Sequence, residues 1–281
     1  MDIIKLDIQY RDIPIYAWYA RPKTVKGAVV LVHGFGEHSG RYLDDVVPRL
    51  MEENLVVFGY DNIGHGKSGG KPGHCPNYSA LLELLDNIIA KARLLNPNKP
   101  IFLYGHSMGG NLVLNHALTI KSNLTGILAS SPYLRLAFQP PKWKMTLGKA
   151  LLGIFPSITM SSGLNPQHIS RIAQEVEKYI ADPLVHDKVS PMYSFPIMEA
   201  GEWAINNAYK LKTPTLLLHG TGDKIIDYRG TQSFHENSDK TELRLIDGGY
   251  HELHKDVGGK ATLDLIASWF GNRMKYFYGQ I

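Results

Sequence analysis

Apolar and polar residues alternate over positions 3–20 with a break at Asp12, and this alternation predicts an opening β-hairpin. Six later apolar runs lack the alternation, which is typical of strands buried on both faces of a parallel sheet. They span residues 28–32, 55–60, 101–104, 124–129, 214–218 and 242–246. Helical patterns lie between them at 41–53, 78–95, 108–121 and 257–271. Strands that alternate with helices form right-handed βαβ units, so we predict a mostly parallel, doubly wound α/β sheet.

This rhythm stops between residues 132 and 202, which contain helical and loop-like segments but no obvious buried strand. An insertion of this length in a compact α/β domain is usually functional. We therefore expect a core formed by residues 1–132 and 203–281, and an inserted helical cap, or lid, formed by residues 133–202. A plain structural excursion is the alternative interpretation.

Residues 142–158 of the expected cap are rich in apolar side chains, and their only charges belong to Lys142, Lys144 and Lys149. A segment of this composition can lie at a lipid interface, which would add a transient membrane or micelle contact to the expected partners. The same apolar residues can instead form the roof of an active-site tunnel. Both interpretations predict a preference for acyl chains over compact polar acyl groups.

Composition narrows the expected partners and compartment. The 281 residues include 30 basic and 26 acidic side chains, and they contain no run of basic residues interleaved with aromatics, which argues against a nucleic-acid partner. The single cysteine, Cys75, excludes an intrachain disulfide and favours a reducing compartment. Neither an apolar leader nor a stretch of 18 apolar residues is visible, so we expect a cytoplasmic protein, with peripheral membrane contact as a further option.

Residues 105–109 read G-x-S-x-G, with Ser107 at the centre. The motif follows an apolar run and precedes a helical pattern, as a nucleophile elbow requires. In such an elbow the chain turns sharply from strand to helix, and the flanking glycines relieve the crowding. We therefore predict that Ser107 is a nucleophile at the carboxyl end of a strand, close to the positive N-terminus of a helix.

A serine hydroxyl needs an adjacent base and a third group that orients the base. After a nucleophile elbow these follow in the order Asp or Glu, then His, and Asp223 and His251 each follow a late apolar run. Asp227 is the alternative carboxylate, but it falls in the expected next helix, and Asp247 is too near His251 in sequence to orient it. His254 is the alternative base, but the segment HELHKD is expected to begin the last helix and to carry His254 away.

Acyl transfer also needs N–H donors for the developing oxyanion. One expected donor is the backbone N–H of Met108, the residue after the nucleophile, and the other comes from the loop after the first buried run. In that loop we select the backbone N–H of Phe35. Gly34 and Gly36 would let the backbone approach the substrate closely, and His33 is expected to brace the loop rather than to react.

Five blocks along the chain agree in sequence and order with a known family. They are HGFGEHSGRY (33–42), DNIGHGKSGG (61–70), GHSMGG (105–110), HGTGDKIID (219–227) and YHELHKD (250–256). The chain thereby resembles the monoacylglycerol lipase and lysophospholipase group of α/β-hydrolases. The resemblance implies the α/β-hydrolase fold, a triad of Ser107, Asp223 and His251, and hydrolysis of monoacylglycerols or similar lipid monoesters without a metal or an organic cofactor.

The same resemblance implies that Glu37 and Arg41 of the HG-x-GEHSGR block, with Tyr179 of the segment YIADPL, help to hold the glycerol hydroxyls. A structural ion pair between Glu37 and Arg41 is the alternative. The chain departs from the family at Phe35, where monoacylglycerol lipases commonly have a small residue. This departure is expected to narrow or reshape the acyl or alcohol side of the site.

Several alternatives stay open or are set aside. The same triad would serve a lysophospholipase, a thioesterase or a short-chain esterase, and less readily a peptidase, whereas a receptor that kept the pocket would lack activity. Residues 64–69 match G-x-G-x-x-G, but Asp86, the potential ribose ligand, lies in an expected helix, so a tight turn at the rim of the site is the better interpretation. The histidines of HELH are three positions apart, which disfavours an H-E-x-x-H zinc site.

Overall fold

The computed structural model describes residues 1–138 and 142–279. Its strands are β1 (Ile3–Tyr10), β2 (Ile13–Ala20), β3 (Gly27–Val32), β4 (Leu55–Tyr60), β5 (Ile101–His106), β6 (Gly126–Ser130), β7 (Met160–Ser161), β8 (Lys188–Val189), β9 (Thr215–Gly220) and β10 (Thr241–Ile246). Its helices are α1 (Val46–Glu52), α2 (Tyr78–Leu95), α3 (Met108–Thr119), α4 (Lys142–Ile154), α5 (Ala173–Ala181), α6 (Pro191–Asn207), α7 (Tyr228–Glu236) and α8 (Gly259–Phe277). The side chains of Lys142, Lys144 and Lys149 lie outside the described part of the protein.

Eight strands form one sheet in the order β1-β2-β4-β3-β5-β6-β9-β10. The predicted hairpin is confirmed: β1 pairs antiparallel with β2, and β2 with β4, while every other neighbouring pair in this sheet is parallel. In β3, Val30 and Val32 face a core beneath α2 and α3, whereas Val29 and Leu31 face a second core beneath α1 and α8. Because helices cover both faces of the sheet, its central strands are apolar on both faces and show no alternation.

Because these strands are parallel, their carboxyl ends lie along one edge of the sheet. Strands β3, β5, β9 and β10 end there at Val32, His106, Gly220 and Ile246. The loops that follow them carry the residues predicted from the sequence to perform the chemistry.

The segment between β6 and β9 forms α4, α5 and α6 together with a separate two-stranded sheet of β7 and β8. The expected boundary at residues 202–203 lies within α6. The buried side of α6, which includes Ile197, Ala204 and Ile205, belongs to the core beneath α3. Helix α6 therefore joins the rest of this segment to the sheet.

Two helix boundaries differ from the sequence pattern. The stretch predicted at 41–53 divides into a 3₁₀ turn at Ser39–Tyr42 and helix α1, whose first N–H is accepted by the side chain of Asp45. Pro48 lies in the first turn of α1, where its missing N–H costs no intrahelical hydrogen bond. The last helix, α8, begins at Gly259 and not within HELHKD, so the prediction for the position of His254 was wrong.

The single cysteine, Cys75, is buried, and burial raises the pKa of its thiol to about 12, so little thiolate forms at neutral pH. Over the described ranges no helix is both long enough and apolar enough to cross a membrane. In the same part of the chain, no group of three or more His, Cys, Asp or Glu residues is arranged to hold a metal ion.

Candidate active site

Ser107 occupies a sharp turn between β5 and α3, with a φ of 53° and a ψ of −115°. A positive φ is strained for any residue other than glycine. A Cβ at Gly105 would lie 2.3 Å from the carbonyl oxygen of Gly109, and a Cβ at Gly109 would lie 2.0 Å from the carbonyl oxygen of Val32. Both glycines are therefore required by close backbone approach, and the predicted strand–turn–helix arrangement around Ser107 is confirmed.

Asp223 and His251 meet at the same edge of the sheet. His251 Nδ1–H donates to Asp223 Oδ2 over 2.7 Å, and His219 Nε2 lies 3.2 Å from the same oxygen. The other oxygen, Oδ1, accepts from the backbone N–H groups of Ile225 and Ile226 at 2.8 and 3.0 Å. Four partners thus fix the carboxylate, so that it holds the His251 ring in one orientation.

The rival carboxylate, Asp227, has a different role. Its side chain accepts from the N–H of Arg229 and caps the N-terminus of α7. Of the two aspartates considered in the sequence, the structure places Asp223 against His251.

The charges of this pair reinforce one another. Burial alone would raise the pKa of Asp223. The His251 ring and the hydrogen bond from His219 lower this pKa by more than burial raises it, so the net pKa lies below the ordinary value. Burial alone would lower the pKa of His251, but the Asp223 carboxylate raises it by more, so its net pKa lies above 6.5. The pair therefore combines an ionised carboxylate with an imidazole whose protonated form is stabilised.

His254 remains next to the site, contrary to the expectation that a helix would carry it away. Leu253–Lys255 form a 3₁₀ turn, and the His254 ring stacks on Tyr42 at a centroid distance of 5.2 Å. It also lies 5.8 Å from the ring of His106. Burial lowers the pKa of His254, so it is a neutral packing group beside the pair of Asp223 and His251.

The loop expected to supply an oxyanion donor lies directly against Ser107. A Cβ at Gly34 would be 3.2 Å from Ser107 Cβ. His33 braces this loop as expected: its Nδ1–H donates to the carbonyl oxygen of Gly34 over 2.6 Å, and its Nε2 accepts from the N–H of Asn62 over 2.8 Å. Met108 is the first residue of α3, where helix geometry gives an N–H group no partner within the helix.

The ring of Phe35 points into an aromatic group on the wall of the site. It makes edge contacts with His65, His186 and Tyr193 at centroid distances of 5.1, 5.9 and 5.2 Å. The N–H of His186 donates to the carbonyl oxygen of Gly36, which ties the same loop to the segment between β6 and β9. The residues G-x-G-x-x-G form a tight turn beside this group, with Gly64 and Gly66 at positive φ.

Glu37 and Arg41 form the ion pair that the sequence left as an alternative, with Arg41 Nη1 2.6 Å from Glu37 Oε2. The second oxygen of Glu37 accepts from the N–H of Gly34 and the hydroxyl of Tyr42. Arg41 also donates from both terminal nitrogens to Glu252, including Nη2 to Oε2 over 2.8 Å. Its guanidinium lies 4.7 Å from the ring centre of Tyr179.

One cavity of about 440 Å³ brings these groups together. Its polar end is lined by Ser107, His251, Glu37, Glu252 and Tyr179, among others. The apolar wall comes largely from the segment between β6 and β9; it includes Leu136, Phe138, Met145, Met160, Ile197 and Met198. The arrangement can hold an ester with its carbonyl at Ser107, its alcohol at the polar end and an acyl chain along the apolar wall.

Two residues of this site were not singled out from the sequence. His219 contacts Asp223, and Glu252 pairs with Arg41 while following His251 directly in the chain. Both lie inside blocks that carry the family resemblance, so their position was a usable signal. Their partners were not readable, because Glu252 and Arg41 are 211 positions apart.

Comparison with known proteins gives consistent matches over nearly all of the chain. The family model described as serine aminopeptidase, S33, matches residues 23–258. The crystal structure of Paleococcus ferrophilus monoacylglycerol lipase has a TM-score of 0.84 and 35% sequence identity, covering 92% of this chain and 99% of that one. A monoglyceride lipase homolog of Monkeypox virus is 32% identical over 267 residues, which are 93% of this chain and 95% of the relative. An abhydrolase domain-containing protein of Dictyostelium discoideum is 33% identical over 268 residues, and the chain spans only 28% of its length.

Proposed function

We propose that this chain, which belongs to the serine aminopeptidase S33 family of α/β-hydrolases and is a serine ester hydrolase, releases fatty acids from monoacylglycerol-like lipid esters. The observation that carries the proposal is a single cavity lined by Ser107 and His251, by polar side chains such as Glu37 and by many apolar side chains. The relatives named monoacylglycerol and monoglyceride lipases support the same substrate class.

In the proposed mechanism Ser107 Oγ attacks the ester carbonyl while His251 Nε2 takes its proton. Asp223 holds the ring and stabilises the imidazolium that forms. The N–H groups of Met108 and Phe35 stabilise the oxyanion of the tetrahedral intermediate. His251 then gives its proton to the leaving alcohol, and a water activated by the same ring hydrolyses the acyl-enzyme and frees the fatty acid.

Glu37, Arg41 and Tyr179 are proposed to serve the alcohol part of the substrate. Glu37 and Tyr179 line the polar end of the cavity, where they can meet glycerol hydroxyls. Arg41 holds both of them, through the ion pair with Glu37 and the stacking on Tyr179. The ion pair is thus compatible with a role in substrate binding, because it fixes the groups that the substrate meets.

Residues 133–202 are proposed to act as a cap that contacts lipid surfaces. Exposed apolar side chains concentrate on α4 and the turn after it: Leu147, Ile154, Phe155 and Ile158 are all exposed, Ile154 by 70%. Apolar side chains in this number can enter the boundary between lipid head groups and acyl chains. The other side of α4, at Met145, faces the cavity, so one helix can serve both functions.

Substrate preference should rise with acyl length. Each CH₂ group buried along the apolar wall contributes about 0.8 kcal/mol, or up to about fourfold in kcat/KM, until the wall is filled. We expect p-nitrophenyl decanoate to exceed p-nitrophenyl acetate in kcat/KM, and monoacylglycerols to be hydrolysed in the same assay series. A higher kcat/KM for acetate, or for aminoacyl p-nitroanilides, would contradict the proposal.

The pH dependence of kcat/KM follows from His251, which must be neutral to act as base. Burial favours its neutral form, but the Asp223 carboxylate outweighs burial and raises its pKa above 6.5. Activity should therefore fall as pH decreases through a value above 6.5. The profile is measured with an uncharged ester between pH 5 and 9, and an acid limb below 6.5 would contradict the assignment of His251.

A further inference from the structure

Arg41 lies between two buried carboxylates. The side chains of Arg41, Glu37 and Glu252 are 7%, 4% and 3% exposed. Arg41 Nη1 contacts both glutamates, and Nη2 adds a second hydrogen bond to Glu252. One guanidinium therefore faces two carboxylates, and the group as a whole carries one net negative charge.

This charge lies at the end of the cavity that receives the alcohol. His251 must give its proton to the leaving oxygen, so the alcohol of the substrate lies on the His251 side of Ser107. Glu252 follows His251 directly, and both line the cavity together with Glu37. Arg41 is not among the described residues that line it, so the alcohol meets the carboxylates rather than the guanidinium.

The neighbouring charged groups leave this balance in place. Lys255 pairs with Asp45, and His38 pairs with Asp182. Burial holds the pKa of His106 far below its ordinary value, so His106 adds no positive charge.

A single cation, Lys224, also lines the described part of the cavity. It is exposed and lies over the ring of Tyr250, 5.3 Å from its centre. It therefore lies at the rim, in contact with solvent, where its charge is largely screened.

We propose that Glu252 determines selectivity for the charge of the alcohol group: together with Glu37 it admits esters of uncharged polyols and disfavours esters whose alcohol carries a net negative charge, such as a phosphate monoester. The proposal rests on the function proposed above and refines its substrate class. Each negative charge of a phosphate about 6 Å from one uncompensated carboxylate, at an effective dielectric constant of about 20, is disfavoured by roughly 100-fold. Partial exposure to solvent reduces this to about 10- to 100-fold.

The test compares three esters with the same octanoyl chain: 1-octanoylglycerol, its 3-phosphate and its 3-phosphocholine. For each, kcat/KM is measured with the natural sequence, with Glu252→Gln and with Lys224→Gln. Ratios between substrates within one variant are used, since they do not depend on the folded fraction. The phosphocholine ester is larger but has no net charge, so it separates charge from size.

We expect the natural sequence to prefer 1-octanoylglycerol over the phosphate by about 10-fold or more, and Glu252→Gln to reduce this preference by about 10-fold. Lys224→Gln should not reduce it. Equal hydrolysis of the glycerol ester and its phosphate by the natural sequence would overturn the proposal, even if Glu252→Gln failed to fold. An unchanged ratio in Glu252→Gln would also overturn it. If none of the three esters is hydrolysed, the proposed function is overturned, and this inference with it.

Discussion

Replacing Ser107 with alanine will lower kcat for every ester substrate by at least about 10⁴-fold. The substitution removes the only atom proposed to form the acyl-enzyme, and the remaining N–H donors can only stabilise a direct attack by water. Alanine keeps the Cβ within the tight turn and removes only the hydroxyl, so the fold should be preserved. The measurements are kcat with p-nitrophenyl decanoate and covalent labelling by a fluorophosphonate, which should be absent in the variant.

The matched control is Ser194→Ala, which alters another serine that lines the same cavity. This variant should retain both labelling and kcat within about twofold, because the proposed mechanism gives Ser194 no part in the reaction. Labelling of the Ser107→Ala protein at another residue, with hydrolysis retained, would show that Ser107 is not the nucleophile.

The sequence predicted the sheet well because its central strands are buried on both faces. Strands such as β3 and β9 are buried at every position, and their central residues are apolar on both faces, so they appear as uninterrupted apolar runs. The helices between β6 and β9 were predicted only as a region. Helix α6 carries Pro191 in its first turn and Pro196 in its interior, and a proline inside a helix normally indicates a break. Packing of its buried side against α3 outweighs that local preference.

The candidate site was predictable to the extent that each residue follows its own strand. Ser107, Asp223 and His251 lie just beyond β5, β9 and β10, and parallel strands bring such positions to one edge. The error at His254 had a local cause that the sequence contained. Gly258, at a φ of 84°, precedes α8, which therefore starts after it, and the separate 3₁₀ turn at Leu253–Lys255 keeps His254 next to the site.

The ion group of Glu37, Arg41 and Glu252 shows the limit of this approach. The pair at Glu37 and Arg41 is local, four positions apart, and was available as an alternative from the sequence. The pair of Arg41 and Glu252 forms only because the loops after β3 and β10 meet beside the cavity. No periodicity or motif encodes that distance, so the charge balance at the alcohol end emerged only from the structure.

Replacing Asp223 with asparagine is expected to lower kcat by about 10³- to 10⁴-fold. An amide can present its NH₂ group to Nδ1 of His251, which would leave the ring proton on Nε2. A protonated Nε2 cannot accept the proton of Ser107. The loss of the carboxylate charge also removes the main cause of the raised pKa of His251. The acid limb of the remaining activity should therefore move to lower pH.

The control for this variant is Asp227→Asn, in the aspartate that the sequence offered as the rival. Asp227 caps α7, and asparagine is an equally good capping residue, so kcat and the acid limb should be unchanged and stability should alter by no more than a few tenths of a kcal/mol.

The two variants should also differ in stability, because the pKa of Asp223 is depressed in the folded state. Its ionised form stabilises the fold above the pKa of an unfolded aspartate, and this contribution is lost as pH falls toward the depressed value. Asp223→Asn should therefore lower the free energy of unfolding at pH 7 more than at pH 3, as measured by urea titration. A larger loss of kcat in Asp227→Asn than in Asp223→Asn would reverse the assignment of the orienting carboxylate.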